Sequence, residues 1–252
     1  MKDFIYDGSF DGFLCAADKA LVLPHSRVVP RGSQPRDLFS ETVEVPTDDD
    51  AAARMRRRIG TVAGADELDT MLLVHSSAAP ERHDLLLSYI RLTFRAGRSV
   101  AAEISRPGVL AVRRIRDRVS LEMARFLGFV RLRRVGGRLY YARVRPDADI
   151  VGLVGPHFAE RFPDQALLIH DEARGIAFWS DGPRRGIVDL SEMPGDLAAR
   201  LSTDCDGEIE ELWRTYFEHI ANPERRNPRL QRRLMPARYW GALVEQPEER
   251  AG

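Results

Sequence analysis

Four residues in the middle of the chain can move protons, and they are the candidates for catalysis: Glu122, His157, His170 and Asp171. His170 and Asp171 are adjacent, and Glu172 follows them. An imidazole beside carboxylates can exchange protons near neutral pH, so these residues are typical of general acid–base chemistry. Their spacing does not force them together. The alternative is that His157 packs within a helix and that His170 to Glu172 form a polar strand end.

Arginines form a second chemical pattern, because they are concentrated in two segments of a chain whose formal net charge is zero. Residues 113–145 contain eleven arginines and two acidic residues, and residues 225–244 contain six arginines and no acidic residue. The compensating acids cluster at Asp48–Asp50 and between Asp189 and Glu211. Clustered guanidinium groups bind phosphates and release their counterions, so this pattern favours a nucleic-acid partner. The alternative is that the arginines pair with the acidic segments.

The candidate nucleic-acid-binding residues lie on a predicted long helix, on the hairpin after it and near the C-terminus. They are Arg114, Arg118, Arg125, Arg131, Arg229, Arg232, Arg233, Arg238, Tyr239 and Trp240. Guanidinium groups near flat aromatic rings can hold phosphates while unpaired bases stack on the rings. Two alternatives stay open. Arg118 and Arg125 could instead form surface ion pairs with Glu122, and the C-terminal residues could instead pack on the core.

Common catalytic signatures are absent from the sequence. It contains no GxxxxGK[ST] loop, no GxGxxG, no GxSxG, no HExxH and no HxE with PCxxC pattern. The two cysteines, Cys15 and Cys205, are too few and too far apart for a zinc ribbon or an iron–sulfur cluster. We therefore predict neither a metal site nor a cofactor.

The first part of the chain, residues 1–106, is predicted to be mainly helical. A short strand Phe4–Tyr6, a turn and a helix capped by Ser9 open it, and an extended connection with one strand follows between Pro24 and Pro46. Apolar periodicity then predicts helices at Asp48–Ile59, Ala65–Val74 and Glu81–Phe94.

Residues 107–252 are predicted to be an α+β region. A long basic helix runs from Pro107 to about Gly128, and a helix capped by Asp147 or Asp149 ends near Phe162. Strands are predicted at Phe129–Arg134, Arg138–Val144, Ala166–His170, Ile176–Trp179 and Gly186–Leu190, and a final helix at Ile209–Ile220. The fold class is therefore α+β, with a mostly antiparallel ββαβββ sheet. A single continuous domain is the alternative to a division at residue 106.

No apolar run is long enough to cross a bilayer, and residues 1–7 lack the apolar stretch of a signal peptide. We expect a cytoplasmic protein with no membrane partner.

Several segments resemble an uncharacterised bacterial family of DNA metabolism or DNA repair proteins. The resemblance is carried by Tyr6–Leu14, Arg118–Arg131, Pro156–Pro163, Leu168–Asp171, Asn227–Gln231 and Met235–Trp240. Proteins of this family are encoded beside a radical-SAM protein, and some are fused to a uracil-DNA-glycosylase-superfamily domain. Relatives usually carry a histidine where this chain has Ala124. The resemblance supplies no established active site.

The resemblance implies a nucleic-acid-binding or adaptor component that acts on DNA with a radical-SAM partner. The alternative is a nucleic-acid-processing hydrolase or glycosylase-like enzyme that uses the histidines and carboxylates named above. A third interpretation is a scaffold whose arginines face acidic surfaces of a partner protein.

Overall fold

The computed structural model describes residues 2–33, 40–136 and 139–190. The predicted helix Ile209–Ile220 and the candidates from Arg229 to Trp240 lie outside the described residues. The chain divides into two compact units, Met1–Leu121 and Glu122–Gly252. The division predicted at residue 106 from the sequence stays a prediction. No helix in the described ranges has the length and apolar character needed to span a membrane.

Unit 1 combines a small sheet with several helices. Its elements are β1 (Lys2–Tyr6), α1 (Phe10–Leu21), β2 (Ser26–Pro30), β3 (Glu41–Glu44), α2 (Asp49–Ala63), α3 (Ala65–Ser76), α4 (Arg82–Ala96) and the first part of α5 (Pro107–Phe129). The strand order is β2–β1–β3, and both pairings are parallel. The predicted strand–turn–helix opening and the helices of this half are confirmed.

Strand β2 was missed, because its segment reads as a proline-flanked connection when taken alone. In the structure Val28 is buried, and Arg27 lies directly opposite Asp3 of β1. The Arg27 guanidinium donates two hydrogen bonds to the Asp3 carboxylate, at 3.0 and 2.7 Å. Such two-pronged pairs are geometrically specific, so this one supports the register of the parallel pair.

The turn between β1 and α1 is a closely packed polar junction. Ser9 caps α1 by accepting a hydrogen bond from the Gly12 amide, and Asp7 accepts from the Ser9 amide, the Ser9 hydroxyl and the Thr47 hydroxyl. A Cβ atom at position 12 would lie 2.2 Å from the Asp7 carboxylate and 2.7 Å from the Thr47 hydroxyl. Only glycine fits at position 12 without displacing this carboxylate.

Unit 2 is built on a five-stranded sheet. Its elements are the remainder of α5, β4 (Arg133–Gly136), β5 (Leu139–Val144), α6 (Val151–Arg161), β6 (Ala166–Asp171), β7 (Ile176–Asp181) and β8 (Arg184–Asp189). The strand order is β4–β5–β6–β7–β8, with β5–β6 parallel and the other three pairings antiparallel. The predicted α+β class and the ββαβββ order are confirmed.

The first strand of this sheet begins later than predicted, because α5 continues through Phe129 and β4 starts at Arg133. The aspartate cap predicted for α6 was also wrong. The residue that caps α6 is Ile150, and no side chain accepts a hydrogen bond from this end of the helix. The Glu122 carboxylate instead accepts hydrogen bonds from two backbone amides in the loop before α6, those of Asp147 and Ala148.

Helix α6 packs closely on one face of the sheet. A Cβ atom at Gly155 would lie 2.2 Å from the buried Phe178 ring of β7. One turn earlier, a Cβ atom at Gly152 would only touch Ile187 of β8, at 3.4 Å. The helix can therefore approach β7 only where it carries no side chain.

We expect Gly155→Ala to destabilise unit 2 by about 1–3 kcal/mol, because a methyl group there overlaps a fixed core ring. Gly152→Ala is the matched control on the same helix, and it should be neutral or stabilise the fold by a few tenths of a kcal/mol, because alanine favours helix. Urea unfolding of both variants measures the difference. Equal effects of the two substitutions would contradict the close packing at Gly155.

Candidate nucleic-acid interface and acid–base clusters

The basic surface of unit 1 lies on α5. Arg113 and Arg116 both pair with Asp117, so their charges are partly balanced. Arg114 and Arg118 are exposed and lie one helical turn apart, and within the described part of the chain no carboxylate pairs with either of them. These two guanidinium groups are therefore available for an external anion.

A cavity of about 310 Å³ lies beside this part of α5 in unit 1. It is lined by both apolar and basic side chains: Ala101, Ala102, Val109, Val112, Thr70, Tyr89, Arg113 and Arg116. The buried Tyr89 hydroxyl donates to Glu67 at 2.8 Å. Burial raises the pKa of Tyr89, and the hydrogen bond to Glu67 raises it further, so the phenol stays neutral. The cavity can hold a small flat group with an anion at its edge.

The arginines of unit 2 are in mixed environments. Arg125 is half-buried and has no partner among the described residues, whereas Arg131 donates to the Gly128 carbonyl at 2.9 Å. Arg143 and Arg145 both pair with Glu172, at 3.5 and 2.8 Å. Part of the basic cluster seen in the sequence is thus neutralised by acids of the same unit.

Both candidate catalytic carboxylates are buried and engaged in hydrogen bonds. Glu122 accepts from the backbone amides of Asp147 and Ala148, at 2.8 and 3.0 Å. Asp171 accepts from the amide of Ala173 and from the amide and guanidinium of Arg174, with the guanidinium bond at 2.6 Å. These contacts hold the loop before α6 and the turn after β6. A catalytic role for either carboxylate stays a prediction.

The two candidate histidines lie in different settings. His170 is half-buried on β6, and its Nδ1 is 2.8 Å from the Tyr141 hydroxyl of β5. Burial lowers the pKa of His170, an effect that Glu172 and Asp171 oppose and Arg143 reinforces. His157 is exposed on α6, and its ring contacts Phe158. Among the described residues no hydrogen bond joins His157, His170 and Asp171 to one another.

Unit 1 contains a second cluster, which the sequence did not reveal. The Tyr6 hydroxyl at the end of β1 lies 3.0 Å from Nε2 of His75 on α3 and 2.8 Å from Nε2 of His83 on α4. Tyr6 and His83 are buried and His75 is half-buried, with the Phe10 and Phe13 rings 5.4 and 5.5 Å from the His75 ring. The three polar side chains thus form one hydrogen-bonded cluster within an aromatic shell.

Burial keeps both Tyr6 and His75 in their neutral forms. It lowers the pKa of His75 to about 4, an effect that the nearby Arg82 charge reinforces and Asp7 opposes. Burial also raises the pKa of Tyr6 above its ordinary value. At neutral pH the cluster therefore contains a neutral imidazole and a neutral phenol.

Sequence reasoning missed this cluster because its members are far apart in the chain and belong to no known motif. One signal was present: Tyr6 is the last residue of a strand, and ligands bind at the carboxyl ends of strands in parallel sheets. That signal required the parallel pairing to be known. Within the described residues, no three histidine, cysteine, aspartate or glutamate side chains are grouped to hold a metal ion.

The sequence of this chain matches the model of a known protein family. The chain belongs to the family described as a domain of unknown function, DUF4130, whose model matches residues 80–245. The match covers more than half of the chain and includes α5, most of unit 2 and His83, whereas Tyr6 and His75 precede it. No curated protein and no solved structure matches the chain.

We expect Asp171→Asn to destabilise the protein by about 3 kcal/mol, because it removes the charge that pairs with Arg174 in a buried site. Glu172→Gln is the control one residue away. It removes only the pairs with Arg143 and Arg145, so its cost should stay below about 1 kcal/mol. Urea unfolding measures both values, and a similarly small loss for the two variants would argue against a structural role for Asp171.

The lowered pKa of His75 makes stability depend on pH. Its pKa is lower in the folded state than the ordinary value of 6.5, so the unfolded chain binds more protons between that pH and about 4. As far as His75 is concerned, the free energy of unfolding is highest above pH 6.5. It decreases by about 3 kcal/mol in total as the pH falls to about 4. His75→Gln should flatten the stability curve in this window, measured by urea unfolding at several pH values. An unchanged slope would show that His75 is not held neutral.

Proposed function

We propose that this protein is a nucleic-acid-binding component of DNA metabolism or repair that acts together with a radical-SAM partner. The observation that carries the binding part is the pair Arg114 and Arg118, exposed one turn apart on α5 with no carboxylate partner in the described residues. Guanidinium groups bind backbone phosphates through charge-assisted hydrogen bonds, and each contact releases counterions.

The cavity beside α5 adds a place for a base. Its apolar lining, which includes the buried Val109 and Val112, suits the flat face of a nucleobase, and Arg113 and Arg116 of the same lining could contact a neighbouring phosphate. This arrangement favours single-stranded nucleic acid over an intact duplex, because only an unpaired base can enter a cavity.

The radical-SAM partner is supported by the family resemblance alone. The described chemistry is compatible with an accessory role, because the buried carboxylates Glu122 and Asp171 already bind backbone amides. In this proposal the protein presents DNA or a modified nucleotide, and the partner carries out the radical chemistry.

A nucleic-acid-processing hydrolase or glycosylase-like enzyme is the second candidate. The observation that favours it is the 2.8 Å hydrogen bond between Tyr141 and His170, because an imidazole whose other nitrogen remains open can act as a base. Incubating the purified protein with uracil-containing oligonucleotides separates the two functions. Turnover without a partner would support the enzyme and contradict the accessory role.

We expect Arg114→Gln/Arg118→Gln to weaken binding of a fluorescent single-stranded oligonucleotide. Each lost phosphate contact should reduce the slope of log affinity against log salt by about 0.7. Anisotropy titrations at several salt concentrations measure this slope, for which about 1.4 should be lost in the double variant.

The matched control is Arg54→Gln/Arg57→Gln, which removes the same charge from exposed positions on α2 of unit 1. It should leave the slope close to that of the wild type. Equal losses for the two double variants would show that binding follows net charge and not the surface of α5. Absence of salt-dependent binding by the wild type would overturn the proposal.

The accessory role has its own test. When the protein is co-expressed with the radical-SAM protein encoded beside its gene, the two should co-purify, and nucleic acid should be recovered with them. Failure to co-purify, with the DNA affinity intact, would remove the partner from the proposal and leave the binding function.

A further inference from the structure

The carboxyl end of β1 has the features of a reaction site. Tyr6 ends the central strand of a parallel sheet, between β2 and β3, and Asp7 follows it at the surface. In open parallel sheets, ligands bind beyond the carboxyl ends of the strands. The Tyr6–His75–His83 cluster lies directly behind it.

The single hydroxyl proton of Tyr6 limits the hydrogen bonds that this cluster can form. A neutral tyrosine hydroxyl has one proton to donate, and the Nε2 atoms of His75 and His83 both lie within hydrogen-bond distance of it. The single Tyr6 proton can be donated to only one of the two Nε2 atoms, and the other Nε2, when protonated, can donate to the Tyr6 oxygen. In this arrangement His75 and His83 are in opposite tautomers.

We propose that Tyr6, His75 and His83 form a proton relay that serves an acid–base site at the carboxyl end of β1, and that the site takes a neutral, hydroxyl-bearing ligand such as a sugar or nucleoside. This site is separate from the arginines of α5 and does not depend on nucleic-acid binding there.

His75 is the outer member of the relay, because it is half-buried whereas Tyr6 and His83 are buried. In its resting state His75 carries a proton on Nε2, which it donates to Tyr6, and the Tyr6 hydroxyl donates to His83. The open Nδ1 atom of His75 is then free to accept a proton. The neutral state of His75 at physiological pH keeps this lone pair available.

The proton step is balanced within these residues. A ligand hydroxyl gives its proton to His75 Nδ1, the Nε2 proton of His75 passes to the Tyr6 oxygen, and the Tyr6 proton passes to His83 Nε2. One O–H bond of the ligand breaks and one N–H bond forms on His83. The ligand oxygen becomes a nucleophile and the positive charge resides on His83, and the reverse sequence returns the proton.

The groups around the site select the ligand. Burial alone would raise the pKa of Asp7, but hydrogen bonds from Ser9 and Thr47 outweigh it and lower the pKa, so the carboxylate is ionised. Asp7 and His75 both accept hydrogen bonds, so the matching ligand is a donor without negative charge.

Other charged groups near His75 are few among the described residues. The guanidinium of Arg82 on α4 is close enough to affect Tyr6 and His75, and it donates to the Ala79 carbonyl at 3.1 Å. Arg56 of α2 lies over the Phe10 ring and pairs with Asp11. Any pH effect assigned to His75 therefore has to be compared with a variant that leaves these groups in place.

The tautomers test the relay in the unmodified protein. Nitrogen-15 NMR at pH 7 should show His75 protonated at Nε2 and His83 protonated at Nδ1. When His75 is titrated near pH 4, the His83 signals should move with it. Identical tautomers, or the opposite assignment, would overturn the relay as written.

Tyr6→Phe keeps the ring and removes the bridge. The linked response of His83 should disappear, while Tyr89→Phe, which removes another buried hydroxyl of unit 1, should leave it intact. If Tyr6→Phe does not fold, His75→Gln replaces it, and the His83 signals should then lose their response near pH 4. A linked response that persists in the folded Tyr6→Phe variant would contradict the relay.

The ligand class is tested on the wild-type protein with adenosine, ribose and inorganic phosphate at millimolar concentration. Adenosine and ribose should shift the His75 signals and phosphate should not, and His75→Gln should lower the affinity for adenosine at least tenfold. A response to phosphate alone, or to none of the three, would overturn the ligand assignment. Salt-dependent DNA binding through Arg114 and Arg118 would be unaffected by that failure.

Discussion

The hydrogen bonds of Tyr6 with His75 and His83 tie the central strand of unit 1 to helices α3 and α4. All three side chains are wholly or partly buried, and a buried polar group without a hydrogen-bond partner is costly, so the two bonds to the Tyr6 hydroxyl help to hold the strand and the helices together. If the strand slid or either helix rotated, at least one of these hydrogen bonds would break. The contacts that hold β1 in place are therefore the same ones on which the proposed proton relay depends.

Much of the fold could be predicted because its signals are local. Ser9 as a cap, the apolar spacing of α4 and α5, and the ββαβββ order each depend on a few neighbouring residues, and each was found. Strand β2 depends instead on a partner about twenty residues away, which supplies Asp3 for Arg27 and buries Val28. Parallel strands are not joined by a short turn, so the sequence around β2 contains no turn signal that would predict the strand.

The sites were predictable to a smaller extent. Clustered arginines indicate a basic surface from composition, but only the structure separates Arg114 and Arg118 from arginines paired with Asp117 or Glu172. Residue type was less informative for the acids. Glu122 and Asp171 have the right functional group for catalysis, yet in the structure their carboxylates accept hydrogen bonds from backbone amides. The spacing of His75 and His83 in the chain does not indicate a site, because the residue that bonds to both, Tyr6, lies about seventy residues earlier.

The mixed pairing of the unit 2 sheet has a consequence for how that unit assembles. Strands β6, β7 and β8 follow one another through short turns, so their contacts are local and inexpensive in chain entropy. Strand β5 pairs in parallel with β6, and the chain must first traverse α6 to make that contact. The turns of this three-stranded meander therefore close only short loops. The β5–β6 pairing and the contact of Gly155 with Phe178 each join residues more than twenty positions apart, so they carry a larger cost in loop-closure entropy.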